Sequence, residues 1–207
     1  MEDLYDYMDD DSKHWEMTFN EKNLQFNKKI KKIKYLNNEN TELDKMLNKL
    51  EINCKKHNYC ISKITKLNGD CFFEVLVYND LAEDVISIRK MIASLFVCFK
   101  NVKGFFKNFP NDTLEDLFNK FTETQIEYTY DLMCCDLICN GSWIRLPTQL
   151  IMMVISKCFN INFTIINCDH NNLIIINESN DTDMASQKNI GLGFLPEFHY
   201  IGISRNI

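Results

Sequence analysis

From Ser12 to His57 the chain is dense in charge and carries neither glycine nor proline, and after Cys60 that texture stops. A stretch of this length without a helix breaker predicts a long helix. Three segments follow from it: an acidic N-terminus (1–11), a charged helical segment (12–58) and a mixed domain (59–207). Placing Phe26, Ile33, Asn40 and Leu47 at heptad position a puts Lys29, Leu36, Leu43 and Leu50 at position d. A single Asn at an a position is a known register device in coiled coils, so 26–50 reads as a self-association element. The heptads are few and Lys29 interrupts the apolar seam, so the other reading is a helix folded against the domain behind it.

The residues after Cys60 predict an α+β domain, a small central sheet flanked by helices. Ile61–Leu67 leads into a turn at Asn68-Gly69-Asp70, and Cys71–Tyr78 (CFFEVLVY) opens a buried helix. Val85–Phe99, Thr113–Phe121 and Leu146–Phe159 have helical spacing, the last beside Pro147, which suits a first turn. Three β-rich runs close the chain: Ile161–Asn167, Leu173–Asn177 and Phe198–Ile203. The polar residues 169–172 form the turn between the first two, and Ser179–Asn189 reads as a polar loop.

Composition removes several function classes. A net charge of −6 and a pI near 5.3 argue against a nucleic-acid partner, which selects a basic face. No stretch reaches the ~18 uninterrupted apolar residues of a spanning helix, and an acidic start is unlike a signal or transit peptide. Nine cysteines, odd in number and set in apolar runs, predict free thiols in a reducing compartment. The expectation is a cytoplasmic or nucleocytoplasmic protein without cofactor or membrane partner. Cys54, His57 and Cys60 form a C-x2-H-x2-C cluster but lack an evident fourth zinc ligand, so no metal is expected. Recruiting Cys134, Cys135 or Cys139 would depend on the fold, and Cys134 and Cys135 read more simply as buried residues of an apolar helix. The aromatic run through Phe105, Phe106, Phe109, Phe118 and Phe121 has no dense basic setting and reads as core or as a partner surface.

Cys71 and His199 are the residues with chemistry to offer. Cys71 follows a glycine turn and opens a helix, where orphan backbone N–H groups and the positive dipole end favour thiolate and a developing oxyanion. By position alone the prevailing reading is a small buried hydrophobe, which is what most free cysteines are. His199 is the one histidine within a β-rich run. Such a ring is commonly just hydrogen-bonded structure, and gains a role when it can take a thiol proton and return it to a leaving amine.

Together these elements resemble the ovarian-tumour (OTU) family of cysteine deubiquitinases, over roughly 59–204. In that family a D-G-[ND]-C-[LF]-[FYW] box opens the catalytic helix, and here it stands as Asn68-Gly69-Asp70-Cys71-Phe72-Phe73. A helix with Arg89 follows, then Gly141-Ser142-Trp143, a helix and strand across 150–166, and His199-Tyr200. The resemblance implies a papain-like cysteine protease fold with Cys71 as nucleophile and His199 as base. It further implies an oxyanion hole from the backbone of Asn68, Gly69, Asp70 and Cys71, with Trp143 beside the histidine or lining the groove. The implied substrate is an isopeptide bond after the Gly-Gly end of ubiquitin, or of a ubiquitin-like modifier, cleaved through a thioester.

Two positions depart from the family pattern. Asn68 replaces the first Asp of the box, and Ile201 occupies the place of the residue that orients the histidine. The substitute is unknown from sequence. Glu197, two residues before His199, is the nearest acid, and Glu39, Glu42 and Asp44 are further ones. Because of Ile201, a ubiquitin-binding or adaptor protein without activity is the alternative reading.

Overall fold

The computed structural model describes residues 40–122, 127–170, 172–178, 187–195 and 199–206. The chain divides into two compact units, Met1–Lys45 and Met46–Ile207. The described part of the first is the opening of helix α1 (Asn40–Lys56). The heptad positions 26–36, the residues 1–11 and Glu197 lie outside the described residues.

In the second unit, α1 leads to β1 (Tyr59–Lys63), and then come α2 (Cys71–Tyr78), α3 (Val85–Phe99), α4 (Leu114–Phe121) and α5 (Tyr130–Ile138). A short 3-10 turn (Trp143–Arg145) precedes α6 (Thr148–Phe159), and four strands follow: β2 (Ile161–Asn167), β3 (Leu173–Ile176), β4 (Lys188–Leu195) and β5 (His199–Arg205). The five strands form one sheet in the order β1-β5-β4-β2-β3. Only β2 and β4 pair in parallel. The architecture is therefore α+β, with helices flanking one mixed sheet.

Several helix starts follow from local chemistry. Asp84 accepts from the Ser87 amide at 2.7 Å to open α3, and Thr113 with Asp116 forms a capping box at α4, each satisfying orphan N–H groups. Pro147 stands one residue before α6, as its N-cap, and not within its first turn.

Strand alternation sorts side chains to the two faces of the sheet. Ile161, Phe163, Ile190, Leu192 and Tyr200 join the main core with α2, α3 and α6. Ile166, Leu195, Ile201 and Ile203 instead meet Leu50 and Cys54 of α1. Gly193 permits this approach, since a Cβ there would lie 2.6 Å from Leu50 Cδ2. Leu50 is fully buried inside the fold, so its side chain does not face outward as a self-association seam would require.

The sequence reading missed β4. Its residues, KNIGLGFL, contain two glycines, which weaken any strand signal, and its first two overlap the polar run Ser179–Asn189. Nor are Cys134 and Cys135 both buried: α5 buries Tyr130, Met133, Asp136 and Leu137, and this stripe leaves Cys134 half-buried and Cys135 exposed. Cys54 lies in the α1 core, and among the described residues no group of three His, Cys, Asp or Glu side chains is placed to hold a metal ion. No described helix is long and apolar enough to cross a membrane.

Candidate active site

Two glycine turns bring the ends of distant segments together. Between β1 and α2, Asn68 Oδ1 accepts from the Asp70 amide at 3.0 Å, an Asx turn, and Gly69 takes φ +81°. Gly141, at φ +77°, sits against it. A Cβ on Gly69 would lie 2.5 Å from the Gly141 carbonyl oxygen, and one on Gly141 would lie 3.1 Å from that of Asn68. Both the left-handed backbone and the close approach require glycine here.

Asp70 is the N-cap residue of α2, yet its side chain makes no cap bond. Its Oδ1 instead accepts from Arg89 Nε at 3.0 Å, from Arg89 Nη2 at 2.5 Å and from the Gly141 amide at 3.0 Å. Arg89 is fully buried and lies 3.9 Å over the Phe73 ring. Its Nη1 donates to the Leu137 carbonyl and to Ser142 Oγ, each at 3.1 Å. Burial pulls the guanidinium pKa down while Asp70 pushes it back up. A buried charge is tolerated only when paired and hydrogen-bonded in this way, and the pairing pins the Asn68–Asp70 turn to the Gly141–Trp143 loop.

Trp143 is thereby delivered beneath α2. It is buried, stacks on Phe72 with centroids 4.3 Å apart, and meets Phe73 and Tyr200 edge-on. It thus packs against α2 and against the residue after His199 from inside the core, 1% exposed. Its indole N–H has no hydrogen-bond partner among the described residues.

Tyr200, the residue after His199, ties β5 to Cys71. The Tyr200 amide donates to Cys71 Sγ at 3.4 Å, so the start of β5 lies against the start of α2. Burial pushes the Cys71 thiol up to about 11, outweighing the amides of Tyr200 and Phe72 that favour thiolate. The pull toward thiolate at the start of a helix is therefore outweighed. Burial likewise pushes His199 down to about 4. At neutral pH both groups are uncharged.

The ring of His199 has a partner that sequence reasoning missed. Its Nε2 lies 3.3 Å from Thr65 Oγ1, and the same hydroxyl donates to the Tyr200 carbonyl at 2.5 Å. Thr65 follows β1, whose register against β5 shifts by a bulge between Ile61 and Lys63. Glu74 of α2 holds the next residue, accepting from the Lys66 amide at 2.9 Å. Finding Thr65 from sequence would have required the pairing of β1 with a strand more than a hundred residues away. Ile201, which shares His199's face of β5, is fully buried against Leu50 and Ile203 and offers the ring no polar atom. Glu197 and Glu39 lie outside the described residues, as does the side chain of Glu42, and Asp44 is exposed on α1.

No family model matches the chain, and no curated protein matches it. The chain is similar to solved OTU domains. The OTU domain of OTUD1 aligns at 12% identity and TM-score 0.48, covering 76% of this chain and 93% of that one. An ovarian-tumour domain in complex with ubiquitin aligns at 14% and 0.47, covering 73% of each chain. An OTU deubiquitinase from Wolbachia pipientis wMel, bound to ubiquitin, aligns at 14% and 0.40, covering 72% of this chain and 97% of that one. Likeness at this level carries no argument about activity, which rests on the residues of the site.

Proposed function

We propose that this protein is a thiol-dependent deubiquitinase, hydrolysing isopeptide bonds after the C-terminal glycine of ubiquitin or a ubiquitin-like modifier. The observation that carries the reading is the Tyr200 amide on Cys71 Sγ, which brings the His199 strand to the opening of α2. The ordered boxes Asn68–Phe73, Gly141–Trp143 and His199-Tyr200 support it. With both groups neutral at rest there is no preformed ion pair, and the proton passes from Cys71 to His199 only as sulfur attacks the carbonyl carbon. The tetrahedral oxyanion is met by backbone N–H groups where α2 begins, without the Asp70 amide, which Asn68 already occupies. His199 then protonates the leaving lysine amine, and water hydrolyses the thioester.

The alternative is a ubiquitin-binding protein without turnover, favoured by the apolar Ile201 and the raised Cys71 pKa. Hydrolysis of a fluorogenic C-terminal ubiquitin amide separates the two. The enzyme reading expects turnover that Cys71→Ala abolishes. Binding of ubiquitin without turnover would leave only the alternative.

A further inference from the structure

The hydroxyl of Thr65 has a single proton to give, and two neighbours. The Tyr200 carbonyl can only accept, and it lies 2.5 Å from Thr65 Oγ1. That proton is therefore committed, and Thr65 Oγ1 turns a lone pair toward His199 Nε2 at 3.3 Å. For that contact to be a hydrogen bond, Nε2 must carry the ring proton. We infer that Thr65 is a positioning residue that fixes His199 as the Nε2–H tautomer, leaving Nδ1 as the basic nitrogen for the Cys71 thiol.

The arrangement closes through one residue. The Tyr200 amide holds Cys71 Sγ, and its carbonyl holds the hydroxyl that holds His199. A single peptide segment thus sets the nucleophile and, through Thr65, the ring. Thr65 is itself anchored by burial, at 5% exposure, and by the Glu74 bond to the following amide. In this role a hydroxyl differs from a carboxylate: it orients the ring without adding negative charge to stabilise imidazolium. That agrees with the His199 pKa, which burial lowers with no opposing charge. The apolar Ile201 then costs orientation nothing, because the orienting atom comes from the end of β1.

This inference rests on the proposed reaction only for its kinetic half. Its structural half is read by nitrogen-15 NMR of the His199 imidazole near neutral pH, which reports the tautomer whatever the substrate. Wild type should show Nε2 protonated, Thr65→Ser should keep that state, and Thr65→Val should lose it to a mixture. For ubiquitin amide hydrolysis, Thr65→Val should lower kcat by about 10- to 100-fold, the scale of a misplaced reacting group, with KM little changed. Thr65→Ser should recover most of that loss. Finding Nδ1 protonated in wild type, or the same tautomer and kcat in Thr65→Val, would overturn the inference. If no ubiquitin substrate is turned over, the proposed reaction fails, while the tautomer in wild type and Thr65→Val still decides the role of Thr65.

Discussion

Acid should destabilise this protein through one ring. His199 is 9% exposed, and burial moves its pKa from 6.5 to about 4. In the unfolded chain the ring gains its proton as pH falls through 6.5, while in the fold it stays neutral until about 4. The unfolded state therefore binds more protons in that window, and stability falls with pH there. A separation of about 2.5 pH units corresponds to roughly 3 kcal/mol, fully present above pH 6.5 and lost by pH 4. The assay is urea denaturation from pH 7.5 to 4 for wild type and His199→Ala. Carboxylates titrating in the same range cancel in the difference between the two proteins. That difference should change by roughly 3 kcal/mol in favour of the variant as pH drops. A flat difference would mean that His199 titrates normally in the fold, and the account of a neutral buried base would be wrong.

Further expectations follow from the same site. Alkylation of Cys71 by iodoacetamide, followed by peptide mass spectrometry, should accelerate continuously with pH toward its pKa of about 11. A rate plateau between pH 5 and 7 would reveal a thiolate that the burial argument excludes. Gly69→Ala should destabilise by at least about 1 kcal/mol from its left-handed backbone, and by more from the clash with Gly141. Urea denaturation measures this, and an unchanged midpoint would contradict the two-turn contact. Arg89→Met should cost about 3–5 kcal/mol by stranding the Asp70 carboxylate. Adding Asp70→Asn should recover part of that loss in a double-mutant cycle, whereas simple additivity would deny the pair.

How much of this was legible depended on whether a signal was local. Cys71–Tyr78, Val85–Phe99 and Ile161–Asn167 are found where their apolar spacing put them, because each is a continuous run with its own period. The glycine at 69 announced a turn, and the turn is there. β4 was hidden because Gly191 and Gly193 are kept small by neighbours from other elements, Ile203 and Leu50, which a local window does not contain. Thr65 was hidden for a related reason: its partners are His199 and Tyr200, and nothing in Ile64-Thr65-Lys66 marks it. For Cys71 the helix start that favours thiolate is visible in sequence, whereas the depth of burial that outweighs it is not. Asp70 illustrates the same limit, since the turn was read correctly while its carboxylate proved to belong to Arg89.

The central claim is that Cys71 attacks the C-terminus of ubiquitin. Its most direct test is intact-mass spectrometry of the full chain after incubation with ubiquitin carrying a thiol-reactive C-terminal group. The account predicts one covalent ubiquitin adduct, mapped to Cys71 among the nine cysteines, absent in Cys71→Ala and slowed in Thr65→Val. Adduct formation on another cysteine, or none from folded wild type whose Cys71 still reacts with iodoacetamide, would contradict it.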